Sequence, residues 1–257
     1  MSVTDLAVLA AGFGAIPLTS ILLYSFREWF DRHRDVMWGG LAGVVAFLGL
    51  SHAMAFVLEG KPFLFAGNDS AVAASFLFTG LVVGGLLGWF LFEGPLIRTE
   101  PARIVWATAA FLALHSFGDG LVLGRDFVGA SFPVVRIDSL TVSATVVHRF
   151  IEGALLLVPA FAARWSLRAS FALLFVPLVS IPAAFVPGVA FDAMGLAGGS
   201  AATLALSTFL AATEASVALM LLVRGFLPIA SADHGSRWIV SVMIGFVGIS
   251  VVHLLVE

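Results

Sequence analysis

Long apolar runs separated by short polar breaks fill the chain, near residues 4–26, 36–58, 70–92, 102–124, 139–162, 167–187, 197–222 and 237–256. A helix needs about 20 apolar residues to cross a hydrocarbon core, so the pattern predicts eight transmembrane helices. The longest breaks, around 27–36, 59–69, 125–138 and 223–236, leave no room for a soluble domain. The expected architecture is an all-α polytopic membrane protein, a single integral membrane domain over residues 1–257. No basic segment precedes the first run and no small-residue cleavage site leads into polar chain after it, so it is read as a retained helix.

Composition agrees: 60% of the 257 residues are hydrophobic, 11% are charged, and the mean hydropathy is +1.07. There is no cysteine, which excludes disulfides, thiolate metal ligands and cysteine nucleophiles. The charge distribution orients the chain. The breaks after runs one, three, five and seven carry Arg27, Arg32, Arg34, Arg98, Arg103, Arg164, Arg168, Arg224 and Arg237, whereas the opposite side carries Lys61, Arg125 and Arg136. By the positive-inside rule the arginine-rich side is cytoplasmic and both termini are extracytoplasmic. Trp29, Trp38, Trp89, Trp106, Trp165 and Trp238 fall at the cytoplasmic ends, where amphipathic rings suit the interface. The expected location is a plasma or inner cell membrane, with the lipid bilayer as partner and no nucleic-acid partner.

Gly80, Gly84 and Gly88 place small residues along the third run, a surface that allows close packing either inside the chain or in a homodimer. Pro177, Pro182 and Pro187 interrupt the sixth run, where a missing N–H kinks a helix or frees a carbonyl.

Chemistry concentrates in two copies of one pattern, His-x-Phe-x-acid-Gly: His115-Ser116-Phe117-Gly118-Asp119-Gly120 in the fourth run and His148-Arg149-Phe150-Ile151-Glu152-Gly153 in the fifth. Four-residue spacing stacks imidazole and carboxylate on one helix face. A carboxylate in mid-membrane costs on the order of 3 kcal/mol on insertion scales, so Asp119, Glu152 and Glu214 call for compensation. Two nitrogens and two oxygens from antiparallel neighbours suit a divalent ion such as zinc, iron, manganese, cobalt or nickel. The plainer reading is polar glue between helices. Duplicated motifs in helices of opposite direction also fit an inverted-repeat bundle with a midplane site.

These motifs resemble those of the ZIP metal transporters, whose fourth helix reads His-Asn-x-x-(Asp/Glu)-Gly and fifth His-Glu-x-Pro-Glu-Gly. Gly43-Val44-Val45-Ala46 leading to Leu58-Glu59, Ser207-Thr208-Phe209-Leu210 before Glu214, and Gly245-Phe246-Val247-Gly248 are similar to that family's second, seventh and eighth helices. The resemblance implies eight spans, no enzymatic activity, no organic cofactor, and a divalent metal, zinc foremost, carried toward the cytoplasm as substrate. His115, Asp119, His148 and Glu152 match the family's metal positions. Ser116 stands where asparagine is usual, Gly118 and Ile151 replace prolines, and Arg149 occupies a position usually acidic or polar. Relatives with an acid there can hold a second ion, whereas a permanently protonated guanidinium repels one, so a mononuclear site is expected.

Around that site, Glu214 could offset Arg149 if the seventh helix faces it, and Arg149 could instead pair with Asp119 and leave no metal site. His52, seven residues before Glu59, is either an entrance ligand or a packing histidine. Glu214 follows Ser200, Thr203 and Ser207 at helical spacing, a pathway lining or a polar seam. His253 is expected at the outer interface, and His33 and His234 in solvated connections. Two other functions compete with transport: a zinc-dependent intramembrane hydrolase, recruiting Ser51 and His52 beside His115, and a membrane protein that binds metal without moving it. The chain carries no ATP-binding loop, so existing gradients would drive transport.

Overall fold

The computed structural model describes residues 14–19, 21–58, 69–97, 99–128, 139–193, 201–232 and 235–256. Every regular element among them is helical: α1 (Gly14–Ser25), α2 (Arg27–Arg32), α3 (Arg34–Leu58), α4 (Asp69–Glu93), α5 (Glu100–Val128), α6 (Ser139–Ala162), α7 (Leu167–Leu173), α8 (Phe175–Ala193), α9 (Ala201–Leu221), α10 (Leu227–Ala230) and α11 (Arg237–Val256). Six stretches are long and apolar enough to cross a membrane: Ala74–Glu93, Glu100–Leu121, Ser143–Ala162, Leu167–Ala190, Thr208–Ala230 and Arg237–Leu255. The described residues therefore form a multi-pass helical bundle, and the second predicted run corresponds to the 25-residue α3.

Proline accounts for the interruptions. The sixth run breaks at Leu174, three residues ahead of Pro177, whose ring nitrogen cannot donate to the carbonyl one turn back. Ser166 starts α7 as its cap, its Oγ accepting from the Ala169 N–H at 3.2 Å. Pro228 opens α10, and a single π-helical turn, Leu222–Phe226, joins it to α9.

The helices pair closely through small residues. A side chain on Gly84 would overlap the carbonyl oxygen of Thr213, and one on Gly80 that of Phe209, so α4 lies directly against α9. The glycine stripe of the third run is thus occupied within the chain. Gly39 and Gly43 bring α3 against Trp238 and Val242 of α11, and Gly120 brings α5 against Ile181 of α8. Thr19 of α1 meets Gly153 and donates to the Phe150 carbonyl at 3.3 Å, while Tyr24 meets Phe161 at 6.1 Å, which lays α1 along α6. In α1–α6, α3–α11 and α4–α9 residue numbers rise together, so each pair is parallel. Arg224 in the π-turn pairs with Glu93 where α4 ends.

Packing between the helices is uneven. Contacts are most extensive in α5–α8, α4–α9 and α3–α11, with α3 also against α9; the links α5–α9, α6–α11 and α5–α6 are lighter. Helices α5 and α6 are central, with 56% and 61% of their spanning windows buried, against 22% for α4 and 11% for α11. Not every tryptophan serves the interface: Trp38 is buried in the core, 5.2 Å from Phe226.

Candidate metal centre

Periodicity sets the first level of the site. His115 and Asp119 lie one turn apart on α5, and His148 and Glu152 on α6. His115 meets Glu152 while Asp119 meets Arg149, so the two helices run antiparallel.

Glu152 is the centre of the arrangement, its side chain 1% exposed. Arg149 NH1 donates to its Oε1 at 2.7 Å and its Oε2 at 2.8 Å. His148 Nε2 and His115 Nε2 approach the same Oε1 at 3.3 and 3.5 Å. Candidate ligand atoms of His115, His148 and Glu152 all lie within 4.8 Å of one another, and all three residues are buried. Ligands at about 2.1 Å from a tetrahedral ion stand about 3.4 Å apart, a separation compatible with both nitrogen–oxygen contacts at Glu152 Oε1. Three protein ligands leave a fourth position open. Neither His148 Nδ1 nor Ser116 Oγ has a hydrogen-bond partner, and both atoms are buried.

Of the four residues predicted as ligands, Asp119 stands apart. Its side chain is 30% exposed and accepts from Arg149 NH2 at 3.1 Å. Arg149 therefore pairs with both motif acids, and its pair with Asp119 coexists with the convergence of the other three. Glu214 faces the cluster through His115. From α9 its Oε1 accepts from His115 Nδ1 at 3.1 Å.

Periodicity within single helices could not have found two of these partners. Glu214 reaches His115 from another helix. His253 is half-buried: its ring stacks 6.1 Å from that of His148, which in turn lies 5.9 Å from that of His115. Also on α9, Thr208 and Thr213 are buried, with Thr213 Oγ1 bonded to the Phe209 carbonyl at 2.7 Å. The side chains of His52, Thr203 and Ser207 lie outside the described residues, as do Glu59, Ser200 and His234 entirely. His33 is half-exposed and stacks on Trp29.

Electrostatics favour a cation here. Asp119, Glu152 and Glu214 face a single guanidinium, so with neutral imidazoles the cluster is two charges negative. One divalent ion closes that count, and a low-dielectric interior strongly favours closure. No protein-family model matches the chain, and no curated protein matches it.

Proposed function

We propose that this protein is a divalent-metal transporter of the ZIP type, with zinc as its foremost cargo, moving the ion toward the cytoplasm through a mononuclear site between α5 and α6. The observation that carries the reading is the buried His115–His148–Glu152 group, its candidate ligand atoms within 4.8 Å of one another, inside a bundle of membrane-length helices. The topology behind it is eight alternating spans with both termini outside. The parallel pairs α1–α6, α3–α11 and α4–α9 support that count, because each joins predicted spans of equal parity, the first with the fifth, the second with the eighth and the third with the seventh.

Transport also needs the site to open to each side in turn. The candidate ligands stand on α5 and α6, and the contacts of these helices with α9 and α11 are where such a movement would take place. One observation favours a second reading, a membrane protein that binds metal without moving it: Arg149 already holds both oxygens of Glu152.

Liposomes containing the pure protein decide between them. Uptake of radiolabelled zinc that is absent from Glu152→Ala liposomes supports transport. Stoichiometric zinc binding without uptake supports the second reading, and lipid hydrolysis by the same sample would move the protein to the enzymes. Absence of both binding and uptake would refute a metal function.

A further inference from the structure

One acid at the site belongs to neither motif. Glu214 stands on α9, and its Oε1 lies 3.1 Å from His115 Nδ1, the two side chains 5% and 1% exposed. A carboxylate oxygen without a proton can only accept, so His115 Nδ1–H is the donor whichever charge the ring carries. The ring's other nitrogen then points toward Glu152 Oε1, at 3.5 Å, within the group that includes His148. A histidine that ligates through one nitrogen gains from a carboxylate on the other, which fixes the ring and its tautomer and raises the basicity of the ligating atom.

We propose that Glu214 is the positioning residue for His115, holding Nδ1–H so that Nε2 faces the ion, and that it is not itself a ligand. This role rests on the metal-transport reading above. It follows from what the carboxylate already does, since its Oε1 is engaged by His115 and it stands outside the three-residue ligand group. The bond joins α5 to α9, so it also ties ion affinity to the relative placement of those two helices. A slide that parts α5 from α9 releases the ring and weakens the ion's hold.

The test uses the full chain in detergent, with zinc and cobalt(II) as probes and Glu214→Ala, Glu214→Gln and Glu152→Ala as variants. Nitrogen-15 histidine labelling follows the His115 Nδ1–H resonance, assigned by its absence from His115→Ala. In metal-free wild type that resonance is expected downfield, as for a proton bonded to a carboxylate, and in Glu214→Ala it should move or vanish. Zinc affinity should fall by about 10- to 100-fold in Glu214→Ala and by less in Glu214→Gln, which keeps an acceptor and the side-chain volume. Stoichiometry and the cobalt ligand-field bands should stay as in wild type. An unmoved Nδ1–H resonance, or unchanged zinc affinity in both Glu214 variants, overturns the role. Shifted cobalt bands overturn it by making Glu214 a ligand. Wild-type protein that binds neither probe overturns the proposed function itself, and that failure is recognised without any Glu214 variant.

Discussion

Replacing Arg149 with alanine removes a cation lodged against the candidate ligand set. Its guanidinium lies 2.7 and 2.8 Å from the oxygens of Glu152 and 3.1 Å from Asp119. An ion about 2.1 Å from Glu152 Oε1 would sit roughly 5 Å from that charge, and a divalent–monovalent pair at this separation repels by on the order of 6 kcal/mol at an effective dielectric of about 20. Rotation of the arginine and water at the partly exposed Asp119 dissipate much of this. If about a quarter survives, the arginine weakens metal binding roughly tenfold. In Arg149→Ala, zinc should therefore bind about ten times more tightly. Asp119 and Glu152 Oε2, both released, should recruit a second ion and make uptake more sensitive to external pH. The metal-free variant loses a paired charge, at a cost of about 3 kcal/mol, so it should unfold at lower temperature and recover with zinc. The assay is equilibrium dialysis and thermal unfolding with and without zinc, together with uptake between mildly acidic and neutral pH. Unchanged affinity, stoichiometry, pH dependence and stability would refute the charge argument and show that Arg149 turns away from the site in the working protein.

The remaining predictions concern the ligands, the proton and the packing. His148→Ala and Glu152→Ala should each reduce uptake to the background of protein-free liposomes while the protein still inserts, and wild-type uptake in either would remove the site from α6. Zinc binding should be strongest at neutral pH and decline as pH falls, because protons compete for the same imidazole and carboxylate atoms; dialysis across that range checks the sign. Gly84→Leu should lower the unfolding temperature in detergent, since its side chain would meet the Thr213 backbone and overpacking costs about 1–3 kcal/mol. Gly85→Leu, with nothing within 4 Å of the added carbon, is the control expected to leave it unchanged.

How much of this was legible in the sequence depends on which relationships lie within one helix. Four-residue spacing fixed the faces of His115, Asp119, His148 and Glu152 before any packing was known, and apolar run length located every span that the described residues contain. Relationships between helices were not legible, because they depend on rotation and tilt set by contacts such as Gly84 against Thr213. Arg149 illustrates the limit. Periodicity placed it beside the motif acids, but only packing set its reach to Asp119 on α5. Glu214 was visible as a costly buried charge, and the expectation that it would offset Arg149 treated charge balance as pairwise. In the bundle His115 stands between Glu214 and Glu152, and Glu214 accepts from its imidazole.

The same geometry bears on why an arginine would be tolerated at this candidate metal site. Without it, three carboxylates would face the interior with only imidazoles between them, and the cluster would need two divalent ions, or several protons, to approach neutrality. With it, a single divalent ion suffices. The guanidinium also occupies the side of Glu152 from which a second ion would bind, so one substitution sets both the charge and the number of ions. A lysine at position 149 would keep the charge but lose the fork that holds Glu152 and Asp119 together. Arg149→Lys should therefore keep a stoichiometry of one ion while loosening Asp119. Dialysis giving two ions for Arg149→Lys would mean that the shape of the guanidinium, and not its charge, excludes the second.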